Sequence, residues 1–317
     1  MWYPILTLEF VCKGEVYKSL TNRNSFINIF SKTKRRRSFS RGWYNFSRNP
    51  LSVVGMIILL LIIFAAIFAP YITPFPEHAG AFTNFREASK PPSSTYIFGT
   101  DSIGRDIFTR VIFGYRFSLI LSIVVLALSI PPGVIFGLIA GYYQGTWIEI
   151  IIMRITDVFI AVPPFVLALA VAAMLSPNLF NQMMAISFVW WTWYCRLVYT
   201  MTTSLCHEDF VTEAKLVGAS KTHILFREIL PNCMGPILTK MTLDMGLVII
   251  VGSSLSFIGL GVQPPKSDLG TMIAEGARRL PSEWWAAVFP AIAIIVVILA
   301  FNLLGDGLKD VFNIEEV

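Results

Sequence analysis

The stretch Leu51–Ala69, LSVVGMIILLLIIFAAIFA, carries no charge and is bounded by Asn49-Pro50 on one side and Pro70 on the other. A bilayer core about 30 Å thick takes about 20 apolar residues of helix, so this block reads as a membrane span rather than a buried core helix. Asn49 and Pro50 supply a cap and a first-turn proline, and Pro70 closes the span. The whole chain agrees. Its 317 residues are 55% hydrophobic and 14% charged, with mean hydropathy +0.65. A water-soluble domain has roughly a quarter charged residues, so this chain has too few to cover a soluble globule.

Further uncharged blocks follow. The chain carries no charge between Arg116 and Glu149, and none between Asp157 and Arg196, where Ser176-Pro177-Asn178 marks a turn and makes a helical hairpin of two spans. Met245–Pro265 and Trp284–Gly305 complete the set, with Trp284 and Trp285 suited to the interface. The expectation is an all-α integral membrane protein with about six spans, near 51–71, 117–143, 153–175, 179–204, 235–260 and 284–305. It has a basic N-terminal segment, 1–48, and a transmembrane domain, 49–317.

Lysine and arginine orient the chain. With the N-terminus inside, 17 of the 25 lie on the cytoplasmic side, led by Lys32, Lys34, Arg35, Arg36 and Arg37 before span one. Six spans then put both termini in the cytoplasm. Beside a span, such a basic run favours lipid headgroups over nucleic acid. Met1–Cys12 lacks a basic n-region and a small-residue cleavage site, so no signal peptide is expected. The four cysteines have no metal or redox spacing, and their inside or intramembrane positions predict no disulfides.

Three non-spanning stretches are long enough to carry function. The first external loop, Ile72 to about Arg116, ends in Gly99-Thr100-Asp101-Ser102-Ile103-Gly104-Arg105-Asp106. Asp101, Arg105, Asp106 and Arg110 form an ion-pair and capping cluster, with Asp101 or Ser102 as the cap of a short helix. It serves either as a partner contact or lid, or as a self-packed loop. The second, Cys206–Asn232, places Phe210, Ala214 and Val217 on one helical stripe, with Glu208, Asp209 and Glu213 near the positive end of the dipole. Gly218 breaks the helix, and a second short helix, Lys221–Leu230, stops before Pro231. A helix–Gly–helix element suits a groove on another protein or a resting place on the headgroups. The third, Gly259-Leu260-Gly261-Val262-Gln263-Pro264-Pro265, ends span five abruptly.

These stretches carry a family resemblance. Glu213-Ala214-Lys215-Leu216-Val217-Gly218-Ala219-Ser220, continuing to Ile229-Leu230-Pro231-Asn232, resembles the EAA loop of binding-protein-dependent ABC transporter permeases. Gly99-Thr100-Asp101 with Gly104-Arg105-Asp106, Met153-Arg154 with Asp157, Ser254–Pro265 and Phe301–Leu308 resemble its dipeptide, oligopeptide and nickel branch. The resemblance runs from about Asn49 to Asp310. It implies the type I importer permease fold with a cytoplasmic coupling helix. It also implies pairing with a second homologous permease, two ATP-binding subunits docked at Glu213, Ala214, Gly218 and Ala219, and an extracytoplasmic solute-binding protein. Asp101, Gly104, Arg105, Asp106, Gly259 and Gly261 would form the external loop and gate. ATP and Mg would sit on the partner subunits, so this chain would bind no cofactor and hydrolyse nothing, and it has no GxxxxGK[ST] sequence. Lys215 replaces the second alanine of the family's Glu-Ala-Ala, Glu228 stands where histidine is usual and Gly252 where an acid is frequent. Asp268-Leu269-Gly270 lacks the usual tryptophan.

Charges inside spans are functional candidates. Arg154 and Asp157 can pair on one helix face. Asp244 either faces the path and meets a solute cation or pairs with Lys240, four residues away. The solute is expected to be a di- or oligopeptide, with nickel chelates, opines or oligosaccharides as alternatives. An ion-coupled secondary transporter is the rival class, and the helix–Gly–helix loop speaks against it. His78, His207 and His223 all lie outside the spans, so no intramembrane Ser–His pair is available for a protease.

Overall fold

The computed structural model describes residues 46–312, and the basic run, Cys12, Glu315 and Glu316 lie outside them. The chain divides into two units. In the described part of Met1–Asn49 with Asp310–Val317, the Asn49 amide donates to the Asp310 carboxylate at 3.2 Å. The unit Pro50–Lys309 holds the helical bundle.

The bundle consists of α1 (Pro50–Ile67), α2 (Ile107–Tyr142), α3 (Trp147–Ala161), α4 (Pro164–Ala173), α5 (Leu179–Leu205), α6 (Asp209–Leu216), α7 (Lys221–Ile258), α8 (Leu269–Ala277) and α9 (Trp285–Phe312). Among the described residues, the extended pairing is confined to a bridge between Thr100 and Asp106. By length and composition α1, α2, α7 and α9 can each cross a bilayer.

The remaining two expected spans differ from the simple picture. Span three is not one helix: α3 and α4 meet at a 90° bend, and count as one span only if the bent pair crosses together. The break falls at Val162-Pro163-Pro164, where the residue before each proline is pushed out of the α region. α5, expected as span four, is not among the helices apolar enough to cross, so the described residues hold four such helices, or five with the bent pair, against six expected, and packing explains why. Ala185, Ile186, Tyr194, Cys195 and Val198 are fully buried by other helices rather than lipid. A helix surrounded by protein can keep Gln182, Ser187 and Thr192 because partners are at hand: the Gln182 amide donates to the Gly252 carbonyl at 2.6 Å.

The tightest helix contact uses small residues. On α2, Gly133, Gly137 and Gly141 recur every fourth position along one face. A Cβ at these sites would lie 2.5 Å from the Trp191 carbonyl oxygen, 2.6 Å from the Cys195 carbonyl oxygen and 2.6 Å from Thr202 Cβ. Because lipid is as apolar as leucine, helices in a bilayer associate through close van der Waals contact. Three glycines in register let α2 and α5 approach almost backbone to backbone. One apolar core lies around α2, α4, α5 and α7, and a second joins α1, α2, α7, α8 and α9, so α2 and α7 are common to both.

Two expected helix boundaries are corrected. α2 starts ten residues before the expected span, and its cap is Asp106, not Asp101 or Ser102. Asp106 accepts from the Thr109 amide and hydroxyl at 2.8 and 2.7 Å. The helix after Gly218 does not stop at Pro231 but runs on to Ile258. Its segment Ile224–Ile229 has π geometry. The wider turn leaves room for the proline ring and leaves a carbonyl, Glu228, to accept from the Asn232 side chain at 2.7 Å.

Candidate coupling turn and loop surface

The turn between α6 and α7 is built around Gly218. Its φ of +83° is left-handed, with open space where a Cβ would be, so glycine is needed for conformation rather than room. The Gly218 amide donates to Lys215 and the Ala219 amide to Ala214, each at 3.0 Å, which is the paired closure of a Schellman motif. Ser220 then caps α7, accepting from the His223 amide at 3.3 Å. The turn is tied to the end of α2. The Lys221 ammonium is 3.4 Å from the Tyr143 hydroxyl, and Lys215 lies over the Tyr142 ring at 5.9 Å.

The predicted docking residues separate into two sets. Glu213 and Gly218 are exposed, whereas Ala214 and Ala219 turn inward and pack against the core with Phe210 and the fully buried Val211. Val217, expected on the packed stripe, is instead 88% exposed, and its neighbour Leu216 is 82% exposed. The stripe reading failed because α6 ends at Leu216 and Val217 is its C-cap, one residue past the packed helix. Sequence reasoning missed Leu216 and Val217 as surface residues, although an apolar pair just before the breaking Gly218 was a visible signal. The result is a short rigid element whose tip presents two aliphatic side chains.

At the other end of the bundle, the loop before α2 is knitted together by one carboxylate. Asp101 Oδ1 accepts from the amides of Ile103 and Arg105, at 3.0 and 2.9 Å. Its Oδ2 accepts from Arg105 Nε at 2.7 Å and Arg110 Nη1 at 2.6 Å. Glu275 on α8 adds a second negative charge, 3.2 Å from Arg110. Burial pushes the Asp101 carboxyl up, but the adjacent Arg110 and Arg105 guanidiniums outweigh it and hold the group below the usual carboxylate range. Of the two alternatives, the self-packed loop therefore describes the interior of the cluster.

Gly104 adopts φ +85°, and a Cβ there would strike the Asn84 carbonyl oxygen at 2.0 Å. His78, stacked between Phe75 and Phe82, accepts from the Asp106 amide through Nδ1 at 2.9 Å, and burial lowers its proton affinity. The post-α7 segment joins the same assembly. Gly259 caps α7 with φ +96°, and Gly261 lies so close to Ser256 that a Cβ would be 2.0 Å from its hydroxyl. Arg105 Nη1 reaches the Pro265 carbonyl at 3.4 Å, Ser267 reaches Ala79 at 2.8 Å, and Trp285 donates to Thr100 at 3.2 Å. Asp101, Gly104, Arg105 and Asp106 thus share one packed loop, which Arg105 ties to Pro265, while Gly261 is buried against Ser256 and Gly259 is exposed with open space around it. Over this loop lies an open groove of about 650 Å³ whose charged lining is Arg105, Glu275, Arg278 and Arg279.

Inside the bundle, Asp244 is 2% exposed and pairs with Lys240, Nζ to Oδ1 at 3.1 Å. The carboxylate does not open onto the surface of the chain. Asp157 pairs with Arg196 of α5 rather than with the predicted Arg154, because α3 packs against α5 and brings the two together. Among the described residues, no group of three or more His, Cys, Asp or Glu side chains is placed to hold a metal ion.

Comparison with known proteins gives the family. Residues 133–313 match the family described as the binding-protein-dependent transport system inner membrane component. Residues 38–92 match the N-terminal transmembrane domain of oligopeptide transport permease C. Over 266 residues the chain is 40% identical to the dipeptide transport system permease protein DppC of Alkalihalophilus pseudofirmus, covering 84% of this chain and 86% of that one. It is 36% identical over 277 residues to the di/tripeptide transport system permease protein DppC of Pseudomonas aeruginosa, covering 86% and 90%. To the glutathione transport system permease protein GsiD of Pectobacterium atrosepticum it is 38% identical over 271 residues, covering 86% and 89%. The chain belongs to the family of binding-protein-dependent transport system inner membrane components.

Proposed function

We propose that this chain is one of two homologous permeases that together form the path of an ABC importer for di- or oligopeptides in the cytoplasmic membrane. The observation that carries the reading is the α6–Gly218 turn, with Leu216 and Val217 exposed at its tip and Ala214 and Ala219 holding it to the core. Exposed apolar side chains on a stiff helix end are suited to a groove in another protein. One of two ATP-binding subunits docks there, in contact with Glu213 and Gly218, the other docks on the second permease, and their closure is passed to α5 and α7. ATP and Mg belong to those subunits, and this chain binds no cofactor. The turn and both termini face the cytoplasm, in keeping with the excess of lysine and arginine before α1.

The opposite surface, around Asp101, Gly104, Arg105, Asp106, Gly259 and Gly261, meets an extracytoplasmic solute-binding protein. Its internal ion pairs keep it stiff during that contact. Peptides are favoured over nickel chelates, opines and oligosaccharides because relatives across most of the chain are named for dipeptides, di/tripeptides and glutathione.

The test is uptake into proteoliposomes holding both permeases and both ATPases. Peptide uptake is expected only with ATP inside and the binding protein outside. Uptake driven by an ion gradient without ATP would overturn the reading in favour of a secondary transporter.

A further inference from the structure

Lys240 sits near the middle of α7, which runs for 38 residues from Lys221 to Ile258. At 1.5 Å per residue it is about 27 Å from either end of that helix. It occupies the same helical stripe as Leu247, Ile250, Ser254 and Phe257, at spacings of seven, three, four and three. Leu247, Ile250 and Phe257 are exposed, Leu247 at 50% and Phe257 at 47%, and Ser254 is half-buried, so the stripe is a face this chain leaves largely uncovered. Lys240 is the one charge on it.

Asp244 faces inward. Its side chain is 3% exposed while that of Lys240 is 27% exposed, so the ammonium is the half of the pair that reaches the surface. The ammonium is held on three sides, by Asp244 at 3.1 Å and by the rings of Trp193 and Tyr194 at 5.7 and 5.6 Å. An ammonium has three donors, and Asp244 takes one. A cation fixed this way within an apolar stripe is a poor match for acyl chains and a prepared site for an anion.

We infer that Lys240, clamped by Asp244, Trp193 and Tyr194, binds the C-terminal carboxylate of the peptide during passage. The inference rests on the peptide-import reading above and reverses the charge expected of the contact: the path offers a cation here, and Asp244 is its anchor. A phospholipid phosphate has the same chemistry, and Lys240 lies about 8 Å inside the expected span 235–260, so the test separates the two sources by reading uptake per assembled complex apart from the amount of complex.

The test compares the complete complex carrying Lys240→Arg with one carrying Lys240→Met and Asp244→Asn together. The double change keeps volume and leaves no buried unpaired carboxylate. Uptake per assembled complex is measured for a free-acid dipeptide and for its C-terminal amide. The arginine variant is expected to keep the free-acid rate. The neutral pair is expected to lose about ten-fold or more on the free acid, in line with loss of a charge-assisted hydrogen bond, without losing on the amide.

Unchanged free-acid uptake in the neutral pair, or an equal fall on acid and amide, overturns the inference. So does a fall in the amount of assembled complex with uptake per complex unchanged, which marks a structural or lipid contact. Absence of any peptide uptake by the unaltered complex instead removes the import reading beneath it.

Discussion

Replacing Asp101 by asparagine keeps the shape of the loop's central side chain and removes its charge. Oδ1 receives two backbone amides and Oδ2 two guanidinium groups, so all four partners are donors. Asparagine has one acceptor oxygen, and either way round its NH2 points at donors. Side-chain exposures of 8% for Asp101, 4% for Arg105 and 1% for Arg110 leave little access for water to compensate. Glu275 remains, but it is 36% exposed and meets Arg105 only at 3.7 Å. Removing one partner of a buried ion pair costs about 3–5 kcal/mol. By contrast, Glu275→Gln should cost roughly 1 kcal/mol or less, as for an exposed pair.

The assay is thermal unfolding of the purified complex followed by tryptophan emission, since Trp285 donates to Thr100 inside this surface. Asp101→Asn is expected to lower Tm by roughly 10 °C. Acidity supplies a second check. The folded-state carboxyl lies below its unfolded value, so its contribution is complete above the usual carboxylate range of about 4 and is lost as pH falls through the folded value. The gap between the variant and the unaltered protein should therefore hold from pH 8 to 5 and close at the acid end. Equal Tm values for Asp101→Asn and Glu275→Gln would refute the reasoning.

Two further outcomes follow from packing and protonation. Gly137→Ala places a Cβ 2.6 Å from the Cys195 carbonyl oxygen and should destabilise the α2–α5 contact by about 1–3 kcal/mol, seen as lower Tm, whereas a change at the open Gly80 should not. His78 has its proton affinity lowered by burial, so its contribution is present above an unfolded value of about 6.5 and declines as pH falls below it. Protonation removes the acceptor for the Asp106 amide, so that amide should exchange hydrogen faster at pH 5.5 than at pH 7.5, after correction for the intrinsic rate.

Block length and turn residues were enough to place most helices but not all their bounds, because a membrane helix satisfies its own backbone and its apolar length is set by the bilayer. Three features depended on neighbours and were harder to read. The 90° break at Pro163-Pro164 was visible as a double proline, but uncharged flanks made the segment look continuous. The run of α7 through Pro231 needs the π segment before it, and hydropathy does not record a change of helical register. The Asp157–Arg196 pair joins residues 39 apart in the chain, beyond the reach of i, i+3 or i, i+4 spacing. At the coupling turn, Gly218 was legible as the residue that breaks the helix, while its left-handed φ and the inward and outward turn of its neighbours were set by closure against Lys215 and Ala214.

The central claim is that the tip of this turn engages an ATP-binding subunit, and a Val217→Cys cross-link tests it most directly. In the assembled complex, oxidation with a cysteine in the ATPase's groove should join the two chains and stop ATP-driven uptake until a reductant is added. A cysteine at Ser254, near the other end of α7, should not join to the ATPase. A complex in which Ser254→Cys cross-links to the ATPase and Val217→Cys does not would contradict the account.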